Sequence, residues 1–116
     1  MKREIKFRAW HKGLNEMLPN VQYYIGSDGW AFGQLLYSDC AEVMQFTGLK
    51  DKKGREIYEG DIVKLDDVIC PITWDDGGFQ MITDKQHGKS PALQGRLKHF
   101  EVIGNIYENS ELLVKE

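Results

Sequence analysis

Histidine and cysteine, the residues that most often hold metal ions, are few and widely separated in this sequence. The histidines are His11, His87 and His99, and the cysteines are Cys40 and Cys70. Structural zinc sites usually place two ligands about two to four residues apart, and no such pair occurs here. The sequence therefore predicts no metal site and no other cofactor.

Clustered carboxylates can act as general acids, general bases or metal ligands, and three groups of them lie in turn signals. The groups are Asp66 with Asp67, Asp75 with Asp76, and Glu59 with Asp61 on either side of Gly60. Aspartate in a turn commonly accepts hydrogen bonds from nearby backbone amides. There is also no serine in a nucleophile elbow and no glycine-rich phosphate loop. We therefore expect structural turns, no catalytic residues and no enzymatic activity.

The first predicted strand carries the residues best suited to binding. Strand alternation places Lys6, Arg8 and Trp10 on one face, and further basic residues flank it at positions 2, 3 and 12. Basic groups bind phosphates, and an aromatic ring can stack on a base. The alternative is a solvated outer face on which long Lys and Arg stems cover the tryptophan.

A second basic group follows in the chain, at Lys50, Lys52, Lys53 and Arg55. Acidic residues at positions 51 and 56 dilute its charge. We interpret this group as the solvated tip of a hairpin.

Length and charge bound the class of protein. The chain has 116 residues and a formal net charge of −3, which suits one domain and gives no overall positive field to attract nucleic acid. The first residues lack the apolar stretch of a signal peptide, and no apolar run is long enough to cross a bilayer. We expect a cytoplasmic protein, in which Cys40 and Cys70 are buried thiols rather than a disulfide.

Alternating apolar and polar residues predict a series of short strands separated by Gly and Asp turns. The predicted strands cover residues 5–10, 16–18, 42–47, 55–58, 62–65, 68–74, 79–83 and 99–107. Pro71 lacks an N–H group, so its strand should be an edge strand or bulged there. Gly60 should adopt a positive φ, and Gly104 should mark a bulge or a close backbone approach.

Two segments are harder to assign. In residues 20–40, positions 23–25 and 30–32 look extended, with a short helix around 33–38 left open. Residues 84–95 resemble a mobile loop, and Asn109 is expected to cap a short closing helix over 110–113. The predicted fold class is mainly β, a partly open β-barrel with one or two short helices.

Three blocks of this sequence closely resemble the YopX family, small proteins of temperate phages and bacterial prophages. The blocks are residues 5–10, 44–63 and 100–109. The resemblance implies a single YopX-like domain over 1–116 and an SH3-like barrel in the C-terminal half. It supplies no catalytic residues, because no biochemical activity is established for the family.

The favoured hypothesis is a non-enzymatic phage or prophage accessory protein in the cytoplasm of a bacterial host cell, acting by binding a protein partner. The alternative is a nucleic-acid-binding module that uses Lys6, Arg8 and Trp10. An enzyme with an unrecognised site is the third hypothesis. No membrane association is expected, and homo-oligomerisation is left open.

Overall fold

The computed structural model describes residues 4–23, 25, 31–75, 77–84, 88–92 and 94–113. The fold is mainly β, as predicted. The strands are β1 (Phe7–His11), β2 (Glu16–Leu18), β3 (Ala41–Lys50), β4 (Glu56–Tyr58), β5 (Asp61–Leu65), β6 (Val68–Asp75), β7 (Gly78–Asp84), β8 (Gly88–Pro91) and β9 (Glu101–Asn105). The helical segments are short: α1 (Phe32–Leu36), α2 (Gln94–Leu97) and 3₁₀ helices at Val21–Tyr23 and Ser110–Leu113.

Backbone contacts divide the chain into two compact units, Met1–Phe46 and Thr47–Glu116. In unit 1, β1 lies between β2 and β3, and both pairings are antiparallel. Alternation along β1 turns Ala9 into a core with Val21, Leu35 and Ala41. Phe7 packs against the same core, where its ring lies 5.0 Å from the ring of Phe32. Of the residues that strand alternation places on the face opposite Lys6, Arg8 and Trp10, Phe7 and Ala9 thus pack in this core, whereas Ile5 precedes β1 and is exposed.

Unit 2 contains a five-stranded antiparallel sheet in the order β8-β7-β6-β5-β9. The consecutive strands β5, β6, β7 and β8 form a meander, and β9 returns to pair with β5. This is the strand order of an SH3-like barrel. The core of this unit contains Ile57, Val63, Cys70, Ile72, Met81, Leu97, Phe100 and Val102. The SH3-like second half that the resemblance to the YopX family implies is consistent with this order.

Pro71 does not lie in an edge strand, because β6 has β5 on one side and β7 on the other. The pairing of β6 instead changes at this residue. Pairing with β5 runs from Val68 to Pro71, whereas pairing with β7 begins at Ile72 opposite Met81. The missing N–H therefore falls where β6 passes from one partner to the other, and a proline can be accommodated without a bulge.

The described parts of the two segments that were hard to assign contain more helix and strand than predicted, and residues 26–29, 85–87 and 93 lie outside the described residues. The expected loop over 84–95 contains β8 and the start of α2, and β8 is held by antiparallel pairing with β7. The expected strands at 23–25 and 30–32 are wrong in part, since Tyr23 ends a 3₁₀ helix and Phe32 begins α1. Ile25 makes an isolated bridge to Ala31, while residues 24 and 30 lie outside the described residues.

Both cysteines are free thiols, but they differ in burial. Cys70 is fully buried in the core of unit 2, as expected. The prediction was wrong for Cys40, which is exposed just before β3 begins. Among the described residues, no helix has the length and apolar character needed to cross a membrane.

Candidate interaction surfaces

Arg8 and Trp10 lie in β1 and Lys6 directly precedes it, and all three residues are half-buried rather than extended into solvent. The Lys6 ammonium lies 4.9 Å from the centroid of the Phe46 ring and 3.6 Å from a Glu4 carboxylate oxygen. Its side chain is only 16% exposed. A phosphate would have to compete with these contacts, which lowers the net gain from binding.

Arg8 is held in a similar way. It pairs across the sheet with Met44, and its Nη2 lies 3.7 Å from the Met44 sulfur. Lys12, farther along, forms a 3.0 Å ion pair with Glu42, and positions 2 and 3 lie outside the described residues. The structure thus brings the three predicted binding residues onto one face, and their role in binding nucleic acid stays a prediction.

The Glu59-Gly60-Asp61 motif forms a backbone turn. Gly60 has φ +87°, as predicted, and its N–H donates to the Ile72 carbonyl at 2.8 Å. The buried Asp61 carboxylate accepts the Tyr58 N–H at 2.8 Å. Asp61 therefore holds the entry to β5, as the structural interpretation of this motif requires.

Asp51 is buried and has a structural role that sequence reasoning missed. In the sequence, only its negative charge, which offsets the neighbouring lysines, was considered. Its Oδ1 accepts the N–H groups of Lys53 and Arg55 at 2.9 and 2.8 Å. Its Oδ2 accepts the Val102 N–H at 2.9 Å and so ties the β3–β4 turn to β9. The signal in the sequence was an Asp three residues before a turn Gly, Gly54.

Two opposing effects act on the Asp51 carboxyl. Burial by itself raises the pKa of Asp51. The backbone hydrogen bonds from Val102, Arg55 and Lys53, together with the charge of Arg55, outweigh burial and bring the pKa below its ordinary value. The carboxylate is therefore ionised at neutral pH and serves as a fixed acceptor for backbone amides.

Asn105, at the end of β9, closes the next turn. Its Oδ1 accepts the N–H groups of Tyr107 and Glu108, both at 2.9 Å. Its own N–H donates to Asn109 Oδ1 at 3.2 Å. The closing helix predicted over 110–113 is present as a 3₁₀ helix. Asn109 directly precedes it; its C=O accepts the Leu112 N–H at 3.0 Å, and its side chain reaches back to the end of β9.

Gly104 is required by the same turn. A Cβ at this position would lie 2.5 Å from Asn109 Oδ1, closer than atoms can approach. The pairing of β5 with β9 also shifts register here, since Ile62 faces Gly104 and Val63 faces Val102. Both alternatives predicted for Gly104, a bulge and a close approach, are present.

These buried polar groups accept hydrogen bonds from backbone amides. Within the ranges the structure describes, no three His, Cys, Asp or Glu side chains come together as metal ligands would. Burial raises the pKa of the Cys70 thiol to about 11, so this thiol is protonated and a poor nucleophile at neutral pH.

Unit 1 carries a different kind of surface, which we call the apolar segment: Tyr23, Ile25, Leu36 and Tyr37. These side chains are 80%, 80%, 48% and 91% exposed. Val21 of the 3₁₀ helix and Leu35 of α1 are buried in the core of unit 1. Tyr23, Leu36 and Tyr37, which follow them in the chain, are exposed to solvent. Sequence reasoning missed this surface, although the density of aromatic residues in 20–40 was a signal.

The fold and these surfaces define a small, mainly β protein with an SH3-like second unit and an exposed apolar segment in its first. The family model described as "YopX protein" matches residues 6–114. The chain therefore belongs to the YopX family, as its sequence blocks indicated.

Two solved structures are similar to this chain. The chain is similar to protein EF1440 from Enterococcus faecalis, with 28% identity and a TM-score of 0.72 over 97% of this chain and 100% of that one. It also shares the fold of protein yopX from Bacillus subtilis, with 24% identity and a TM-score of 0.59 over 94% and 98% of the two chains. No curated protein matches the sequence.

Proposed function

We propose that this protein is a non-enzymatic accessory protein of a phage or prophage that acts in the cytoplasm of its bacterial host by binding another protein. The observation that carries the proposal is the apolar segment. Tyrosine and other large apolar side chains at such exposure are typical of protein-binding surfaces, in which aromatic residues dominate the affinity.

The apolar segment is suited to this role for a physical reason. Tyrosine offers a large apolar area with few rotatable bonds, so a partner gains contact at a small entropic cost. Covering one such side chain contributes roughly 1.5–3 kcal/mol. Ile25 is also bridged to Ala31, whose N–H donates to Gln34 Oε1 at 2.8 Å, so Ile25 is connected to the start of α1.

The experiment is capture of the tagged protein from phage-infected cells, with and without nuclease, followed by titration of the purified partner. A Tyr23→Ser/Tyr37→Ser variant should lose the partner, with at least about a tenfold drop in affinity. Trp74→Ser is the matched control, since Trp74 is an exposed aromatic of unit 2. If wild type and the tyrosine variant bound the partner equally well, the apolar segment would be excluded as the binding surface.

The nucleic-acid alternative uses Lys6, Arg8 and Trp10 and predicts a nuclease-sensitive capture. Lys6→Ala/Arg8→Ala should then weaken binding of labelled single-stranded DNA, and Trp10→Ala should remove stacking worth about 1–3 kcal/mol per base. The engaged positions of Lys6 and Arg8 favour the protein-binding function over this one.

A further inference from the structure

The described part of unit 2 carries a strongly basic surface that the proposed function does not use. It combines the β3–β4 turn with the turn between α2 and β9, two parts of the chain that are distant in sequence. We call it the basic end, and its cationic residues are Lys50, Lys52, Lys53, Arg55, Arg96 and Lys98.

Backbone hydrogen bonds bring the two turns together. The Lys52 N–H donates to the Phe100 carbonyl at 2.9 Å, next to the Asp51–Val102 bond. Consecutive Cα atoms are about 3.8 Å apart, which places the Cα of Lys98 within about 13 Å of that of Lys52. The side chains of Lys52, Arg96 and Lys98 are exposed, so their charges act on the same region of solvent.

The charge of the basic end is opposite to that of the whole chain. Segments 50–56 and 96–101 contain six basic and three acidic residues, a formal charge of +3, whereas the chain carries −3. Asp51 accepts backbone amides. Glu101 pairs with the ammonium groups of Lys53 and Lys52 at 2.9 and 3.8 Å, so a phosphate would have to compete with Glu101 for these two lysines. The test therefore uses Arg96 and Lys98, which are exposed.

We propose that the basic end binds the phosphate backbone of nucleic acid without reading its sequence. Fixed cations neutralise phosphates and release their counterions, which supplies most of the affinity in such binding. Asp51 fixes the β3–β4 turn to β9, because its carboxylate accepts the N–H groups of Lys53, Arg55 and Val102.

The absence of apolar groups favours nucleic acid over an acidic protein. Leu97 and Phe100 are buried, and none of the large exposed hydrophobic residues among the described residues lies in these two segments. Protein interfaces usually need an apolar centre, whereas a hydrated phosphate backbone needs only charge and hydrogen-bond donors.

The test is a titration of a short labelled DNA duplex, read by fluorescence anisotropy at about 50 and about 200 mM salt. Arg96→Glu/Lys98→Glu should weaken binding at least about tenfold and lower the salt slope by about two. The matched control is Asn15→Asp/Asn20→Asp, set against Arg96→Gln/Lys98→Gln, because each pair of substitutions lowers the net charge by two at exposed residues and both asparagines lie in unit 1. The control should change affinity less than about twofold.

Circular dichroism and thermal melting verify that each variant is folded, and Lys98→Gln is a milder substitute if the double variant is not. Absence of binding by wild type at low salt would overturn the proposal, as would equal weakening by the control pair. If Lys6→Ala/Arg8→Ala weakened binding of the duplex and Arg96→Glu/Lys98→Glu did not, the DNA-binding surface would be the one at β1 instead. Polyglutamate that competes better than unlabelled duplex would assign the basic end to acidic proteins. These outcomes leave capture through the apolar segment unaffected.

Discussion

The linked turns of unit 2 and the apolar segment of unit 1 use their side chains in opposite ways. In unit 2, polar residues such as Asp51, Asp61 and Asn105 are buried and bound to backbone amides. In unit 1, large apolar residues such as Tyr23 and Tyr37 are exposed. A buried polar group is retained when its hydrogen bonds are complete, whereas an exposed aromatic adds little to folding.

This difference separates residues that specify the fold from residues available for binding. The second sequence block that resembles the YopX family contains Asp51, Gly60 and Asp61, which hold turns. The apolar segment lies outside those blocks. Substitutions in the turns should therefore change stability, and substitutions in the apolar segment should change binding.

The largest effect is expected for Asp51→Ala. It leaves three backbone N–H groups without their acceptor and separates the β3–β4 turn from β9. The free energy of unfolding should fall by about 3–5 kcal/mol, measured by urea denaturation. The control is Asp67→Ala in an exposed turn, expected within about 0.5 kcal/mol of wild type. Similar losses in both variants would contradict the role of Asp51.

A smaller loss is expected for Gly60→Val. With φ at +87°, a β-branched residue is strained, and the free energy of unfolding should fall by roughly 1–3 kcal/mol. The glycine control is Gly33→Ala in α1, where an added Cβ meets nothing within 4 Å. It should be neutral or stabilising by up to about 1 kcal/mol. If Gly60→Val and Gly33→Ala both changed the denaturation midpoint only slightly, Gly60→Val would not be strained.

Acid should weaken unit 2 through Asp51. Its folded-state pKa lies below the ordinary value of 3.8, so its contribution is complete above that value and is lost as pH falls through the folded pKa. Denaturation midpoints measured from about pH 6 down to about pH 2 should decline more steeply in wild type than in Asp51→Asn. Parallel profiles would show that Asp51 does not carry this pH dependence.

The smallest effect on stability belongs to the apolar segment. Tyr23→Ser/Tyr37→Ser should shift the free energy of unfolding by no more than about 0.5 kcal/mol, because both rings are largely in solvent already. Chemical denaturation of the variant without any partner gives this value. If the free energy of unfolding fell by several kcal/mol, the two rings would be stabilising the fold. The apolar segment would then not differ from the turns of unit 2 in its role.

The sequence alone determined the mainly β fold, most strand positions and the sharp turns. These features are local: alternation sets the faces of β1, and Gly60 can adopt a conformation that other residues resist. The sequence also placed Gly104 at a bulge or close approach, because a glycine weakens the interior of a strand and is common where the backbone bulges or another group comes near.

Tertiary structure decided the rest, because the decisive partners are distant in the chain. Asp51 is tied to Val102, and the strand that contains Pro71 changes partner there rather than lying at an edge. β8 is a strand because β7 offers its edge, despite a polar sequence with little strand propensity. The basic end likewise exists only because folding joins residues 50–55 to residues 96–101, and no local pattern records that contact.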